Sequence, residues 1–190
     1  MLAHAFKEWA VICRALELGR QAILLRKGGI AEDAGVFQLE HKRFWLYPTY
    51  VHQQRAGIKE EALALLAEVE QQRPAAGKIR LSHFAEAVGI YHLHDLPAAL
   101  MLQSMHSWSE ATVAQRFHYR APGLFVVAVR VFQVAEAIEL DETEQYAGCK
   151  SWVELERPLE TAGATPALDD AAFHDLLRKL DDFLNPTAFA

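Results

Sequence analysis

The stretch from Gly123 to Val134, GLFVVAVRVFQV, constrains the fold most. It is a nearly continuous apolar run dense in Val and Phe, opened by Pro122-Gly123 and carrying one charge, Arg130. Such a run predicts a central strand buried on both faces, because a strand with one wet face would alternate. An unpaired charge inside it would be costly, so Arg130 is expected to have an acidic or carbonyl partner. A central strand needs neighbours on both sides, and the rest of the chain must supply them.

Trp9–Leu16, a turn at Leu18-Gly19-Arg20 and Ala22–Leu25 read as a hairpin that Lys27-Gly28-Gly29 stops. Phe37–Leu46 alternates as a third strand, and Pro48, which has no N–H to donate, is expected to take Tyr47-Pro48-Thr49-Tyr50 out of the ladder. Ile79–Val88 reads as a strand with a bulge and Lys150–Leu155 as a shorter one. Helical spacing joins Ile58, Ala62, Leu65, Leu66 and Val69 on one stripe that ends before Pro74. Asp95 or Pro97 opens a short helix, and Ser107-Trp-Ser-Glu110 resembles a capping box opening another. Phe173, Leu176, Leu177, Leu180, Phe183 and Leu184 define a last helix, with Asp169 and Asp170 at its electropositive start and Asn185-Pro186 at its stop.

Strands and helices thus occur without a regular βαβ rhythm. That predicts an α+β fold with a mixed or mainly antiparallel sheet, amphipathic helices, and the C-terminal helix packed on the sheet. At 190 residues the chain suits one domain, 1–190, with 156–167 as a surface linker before the last helix.

The formal charge of -6 opposes any broad attraction to nucleic acid or anionic membrane, so phosphate binding has to be local. Two cysteines, Cys13 and Cys149, stand far apart in no CxxC pair and suggest neither a disulfide framework nor a thiolate zinc site. No signal-peptide pattern follows Met1 and no stretch reaches the apolar length of a membrane span, which predicts a cytoplasmic protein.

Chemistry concentrates between Arg26 and Gln53. Arg26 and Lys27 precede Gly28 and Gly29, a turn that can offer backbone N–H groups and positive charge to a phosphate, although Gly-Gly turns are also commonplace solvated structure. Glu40, His41, Arg43, Tyr47, Thr49, His52 and Gln53 follow. His41 and His52 titrate near neutrality and are candidate acid–base residues, with Glu40 as ligand or base; Tyr47, Thr49 and Gln53 can donate hydrogen bonds to developing negative charge. Against this, a His beside Phe37, Leu39 and Trp45 is more often structural.

The run Arg26-Lys-Gly-Gly-Ile30, then Glu40-His41 and Phe44, then Leu46-Tyr-Pro-Thr-Tyr50 and His52-Gln53, resembles a bacterial family catalogued as a domain of unknown function. Gly123-Leu124 and Val129-Arg130-Val131 fit as well, so the resemblance spans Phe6 to about Leu155. It implies a stand-alone bacterial protein of one unit and brings no activity, cofactor or partner with it.

Other patterns carry less. Glu40-His-Lys42 supplies the Glu-x-Lys half of a restriction-type nuclease site, but the preceding strand lacks the Asp such sites use. The long glutamate-bearing helix of nucleotide-diphosphate hydrolases is missing. His92-x-His94 points two imidazoles to one side, yet spacing alone supplies no third zinc ligand, and no metal is assigned. Arg116, His118, Tyr119 and Arg120 add basic and aromatic groups after a short helix, with Arg116 a candidate ligand-binding residue.

The leading expectation is a pocket between the Arg26–Gly29 turn and the Tyr47–Gln53 loop that binds a phosphate-bearing partner, either a small nucleotide or nucleic acid. The alternatives are a metal-dependent phosphodiester hydrolase or nuclease, and a scaffold or regulatory protein without catalysis. The sequence assigns no cofactor and no oligomeric state.

Overall fold

The computed structural model describes residues 1–27, 31–33, 36–38, 41–148 and 150–185, with 31–33 and 36–38 as backbone. Strand β1 (Leu2–Trp9) runs directly into helix α1 (Ala10–Glu17), and β2 (Ile23–Arg26) follows. A small hairpin, β3 (Ala31–Asp33) with β4 (Val36–Gln38), stands apart from the main sheet. Then come β5 (Arg43–Thr49), α2 (Leu63–Gln71), β6 (Lys78–Leu93), α3 (Leu96–Met101), α4 (Glu110–His118), β7 (Leu124–Asp141), β8 (Trp152–Leu159), β9 (Thr165–Pro166) and α5 (Asp170–Leu184).

The main sheet has the order β2-β7-β6-β5-β1-β8, with β9 on the β2 side of β7. Every pairing is antiparallel except β1 with β5. The protein is therefore an α+β fold on a mixed, mostly antiparallel sheet, and its last helix covers the core through Phe173 and Leu180. The long apolar run is the centre of that sheet as expected. β7 pairs with β6 from Leu124 to Asp141 and with β2 over Phe125–Ala128 on its other side. Arg130 finds its acidic partner in Asp170, the first residue of α5, and its guanidinium also lies over Phe132 and Phe173. The predicted bulge in β6 is present as register shifts between Leu81 and His83 and between Ala87 and Gly89.

Phe37–Leu46 is not one strand, since residues 36–38 pair with 31–33 in the small hairpin and β5 begins at Arg43, and two further expectations fail for identifiable reasons. The run from Trp9 to Leu16 is helical after Trp9. In α1, Ala10, Val11, Ile12, Cys13, Ala15 and Leu16 are all buried, and an apolar run this short does not separate a helix from a buried strand by its pattern alone. What remains of a polar stripe is Arg14 and Glu17, three apart and in contact. The helix start is fastened from outside by Gln53, whose Oε1 accepts from Val11 N–H at 2.9 Å. The second failure is Pro48, which stays in the ladder, opposite Glu8. β5 has its last pairing with β6 at Trp45, so beyond that residue its only neighbour is β1 and the missing N–H is tolerated as at a sheet edge.

Helix starts follow the sequence closely. Asp95 and Asp169 accept from the N–H groups of Ala98 and Ala172 as N-caps of α3 and α5. For α4 the cap is Ser109, accepting from Thr112 N–H, two residues later than the Ser107 box suggested. The span 156–167 holds the end of β8 and all of β9. No helix among the described residues is long and apolar enough to cross a membrane.

Alternation along β5 divides the core. Phe44 and Leu46 join the cluster under the helices, with Phe6, Ile12, Leu16 and Trp108, while Trp45 and Tyr47 join a second cluster with Leu81, Tyr146 and Leu155. On the first of these faces lies a buried charge cluster. Arg26 Nη1 donates to Glu8 Oε2 at 3.1 Å and Arg26 Nη2 to Ser151 Oγ at 2.7 Å. Arg116 reaches the other oxygen of Glu8 at 3.5 Å and donates to the Leu25 carbonyl at 2.9 Å. Since β2 stands at one end of the strand order and β1 and β8 at the other, these bonds show that the sheet curls until its ends meet.

Glu8 is 3% exposed and balances two guanidinium groups, so removing it strands both. Glu8→Ala should lower the unfolding free energy by about 3–5 kcal/mol, as expected when one partner of a buried ion pair is lost. The check is the midpoint of urea unfolding, and a change within error would mean that the cluster is not structural.

Candidate functional site

A cleft of about 490 Å³ opens beside α1, within the range of about 300–1,000 Å³ usual for small-molecule sites. Its walls are Arg14 and Glu17 of α1, residues 47–51 at the end of β5, the end of α2 with the turn to Gly77, and the first half of β6. These segments are far apart in sequence, and the fold brings them together because β1 leads into α1 next to the end of β5.

The chemistry of the cleft is charged. Arg14 gives Nε and Nη2 to Glu68, at 2.9 and 2.8 Å, and reaches Glu17 only with Nη1 at 3.4 Å. Glu17 is therefore a largely buried carboxylate with an incomplete counter-charge. Burial is the main cause that raises its pKa from 4.5 to about 7, with Arg14 and Arg80 acting in the opposite direction. His83 Nδ1 lies 3.6 Å from Glu17 and 2.9 Å from Ser82 Oγ. Burial, helped by the Arg14 charge, pulls His83 from 6.5 down to about 4, so at neutral pH the contact with Glu17 is one between a neutral imidazole and a half-protonated acid.

Positive charge dominates the remaining lining. Lys78 is paired with Asp141 at 2.7 Å. Arg73 lies over the Tyr50 ring, 4.6 Å from its centre, and neither Arg73 nor Arg80 makes an ion pair among the described residues. Tyr47 donates its hydroxyl to Glu142 at 2.9 Å.

Of the residues expected from sequence, Tyr47 and Thr49 line this cleft. Gln53 stands behind it, its Nε2 donating to Glu70 at 2.8 Å while its oxygen caps α1, so it ties both helical walls together. His52 is exposed at a left-handed φ of 62°. Arg26, Arg116 and His41 lie outside the lining of the cleft. His41 stacks on His4 at 3.5 Å and meets Trp152 edge-on, and Trp152 packs on Phe6 beneath the Arg26 guanidinium. Arg43 pairs with Glu86, which Lys42 also reaches. Lys27 spends its ammonium on the carbonyls of Phe117, Ala121 and Gly123 at the end of α4. Gly28, Gly29 and Glu40 lie outside the described residues. The expected group is thus not gathered in one cleft, and Arg26 and Lys27 are bonded where the sequence suggested free surface cations.

Arg14, Glu17, Arg73, Arg80, Ser82 and His83 are not among the residues singled out from sequence. The available signal was Arg14 and Glu17 at i and i+3 within an apolar run, and the failure of residues 80–86 to alternate cleanly. Among the described residues no three His, Cys, Asp or Glu side chains converge as a metal set.

The family described as a domain of unknown function, DUF1802, matches residues 5–179. The chain belongs to that family. No curated protein matches the sequence significantly. Solved structures of similar trace include ASCH from Zymomonas mobilis, at 15% identity and a TM-score of 0.46, covering 92% of this chain and 93% of that one. A point mutant of the same protein gives 12% identity, a TM-score of 0.46, and coverage of 92% and 96%. At this distance no residue role transfers from them.

The titrations fix the sign of a pH effect. Glu17 binds a proton in the folded chain between 4.5 and about 7 that the unfolded chain releases, so its contribution favours folding at low pH and is lost as pH rises through about 7. His83 and His106 act oppositely, since the unfolded chain protonates them below 6.5 while the folded chain holds them neutral down to about 4 and about 3. Stability should therefore be greatest near neutrality. Glu17→Gln should raise it by up to about 3 kcal/mol at about pH 8 and have little effect at about pH 5. Melting curves across pH test this, and an unchanged alkaline limb in the variant would refute it.

Proposed function

We propose that the protein binds a phosphate-bearing ligand, a nucleotide or a strand of nucleic acid, in the cleft between α1, the end of β5 and the start of β6. One observation carries the reading: Arg73 and Arg80, which make no ion pair among the described residues, both line a cleft of about 490 Å³, on a chain whose formal charge is -6. Exposed Arg20, Arg55, Arg120 and Arg157 likewise make no ion pair among the described residues, so what sets Arg73 and Arg80 apart is that one concavity holds both. Two that remain uncommitted in one concavity supply the planar, forked donors that match phosphate oxygens. The Tyr50 ring with Arg73 laid over it adds a flat π-cation surface of the kind on which bases stack.

Tyr47 and Thr49, from the segment singled out in the sequence, line the cleft beside these charges. Arg26, Lys27 and Arg116 have a different part in this reading, as the bonded groups that close the sheet and set the position of β1 and α1.

Calorimetric titration with adenosine monophosphate, inorganic phosphate and a short single-stranded oligonucleotide tests the proposal. Arg73→Ala and Arg80→Ala should each weaken binding about tenfold or more, the loss expected for one charge-assisted hydrogen bond of about 1.5–3 kcal/mol, with little change in melting temperature. Undiminished affinity in the double variant would remove the cleft from the binding site.

A further inference from the structure

We propose that the cleft is catalytic, with Glu17 as the general base that activates water against a phosphate ester held by Arg73 and Arg80. This rests on the reading of the cleft as a phosphate site. The geometry singles Glu17 out among the acidic groups of the lining. Glu142, the other acidic residue of the lining, is engaged by the Tyr47 hydroxyl, and Glu68, outside the lining, takes two nitrogens of Arg14. Glu17, at the inner wall, keeps only the 3.4 Å contact to Arg14 and the 3.6 Å approach of His83 Nδ1.

A base for water needs a carboxylate with a lone pair left over from its ion pair and a proton affinity near the working pH, and Glu17 gives Arg14 only Oε2, in a single 3.4 Å salt bridge. The elevated proton affinity of Glu17 meets the second requirement. The groups facing it are Arg14 and Cys13 from α1, Glu68 from α2, Arg80 and His83 from β6, and Tyr50 after β5. His83 is a positioning residue: neutral and clasped by Ser82, it occupies the side of Glu17 away from Arg14 without neutralising it.

In the step, the water oxygen bonds to phosphorus as one of its protons passes to the Glu17 carboxylate. The bond from phosphorus to the ester oxygen breaks, that oxygen keeps the electron pair, and the proton held by Glu17 returns to it. Water and a phosphate ester enter, and an alcohol and the hydrolysed phosphate leave. The two arginines offset the charge that builds on the non-bridging oxygens.

The p-nitrophenyl ester of thymidine monophosphate is a suitable probe, with release of p-nitrophenol followed by chromatography and binding of adenosine monophosphate measured in parallel. Wild-type protein should turn the ester over with kcat/KM rising with pH and levelling above about 7. Glu17→Gln should lose about 100-fold or more in kcat while binding adenosine monophosphate at least as well, because a like charge has gone. Ser82→Ala should lower kcat less and shift the pH profile. Binding without turnover in the wild type would overturn the catalytic proposal and leave the binding reading standing. Turnover that survives in Glu17→Gln would overturn the role of Glu17. Neither binding nor turnover would overturn both.

Discussion

The fold is pinned by one carboxylate. Glu8 sits in β1 with almost no exposure, accepts from its neighbour Trp9 N–H at 2.9 Å, and holds Arg26 of β2 and Arg116 of α4. Buried ion pairs are costly to assemble, since desolvation of each ion consumes much of the attraction. Arg26 Nε, buried and without a hydrogen-bond partner among the described residues, adds to that cost. What the arrangement secures is geometry. Three elements distant in sequence are fixed at one point, and the aromatic rings of Phe6, Trp9 and Trp108 lie against the guanidinium faces. A hydrophobic contact would be satisfied by many registers, whereas Glu8 with two forked partners is satisfied by one.

That registration passes directly to the cleft. β1 becomes α1 without a loop, so fixing Glu8 fixes Arg14 and Glu17 two turns further on. The same strand holds the end of β5 by parallel pairing as far as Thr49, which places Tyr47 and Thr49 opposite α1. Gln53 completes the frame by joining the start of α1 to Glu70 on α2. Arg14, Glu17, Tyr47, Thr49, Arg80 and His83 are thus carried on regular elements, which keeps polar atoms in fixed relation, while Tyr50 and Arg73 come from the loops that follow β5 and α2.

The sequence made the sheet legible where periodicity and caps were strong. The apolar run of β7, the bulged β6, the last helix and the caps Asp95 and Asp169 were all readable, because each is decided by local chemistry. What stayed hidden is decided by tertiary contact. α1 looks like a strand because eight residues, with a polar side of only Arg14 and Glu17, are too few to mark a helix, and Pro48 looks like a strand end because nothing local reveals that β6 has already departed. The candidate site divides in the same way. Tyr47 and Thr49 stood in a conspicuous motif, whereas Glu17 became notable only when folding buried it between Arg14 and His83. Arg26 and Lys27 looked like free cations because their partners, Glu8 and the carbonyls ending α4, are supplied by distant parts of the chain.

The parallel pairing of β1 with β5 also bears on how the chain comes to be folded. During synthesis β1 emerges first, yet its neighbours on either side are residues 45–49 and, later, residues 152–159. Parallel pairing requires a long crossover, so β1 cannot be satisfied by the next turn of chain. Until β8 arrives, one of its edges stays open, a template for strand addition by another copy. Assembly therefore has to wait for residues 152–159, and the nascent protein is most exposed to misassociation in that interval.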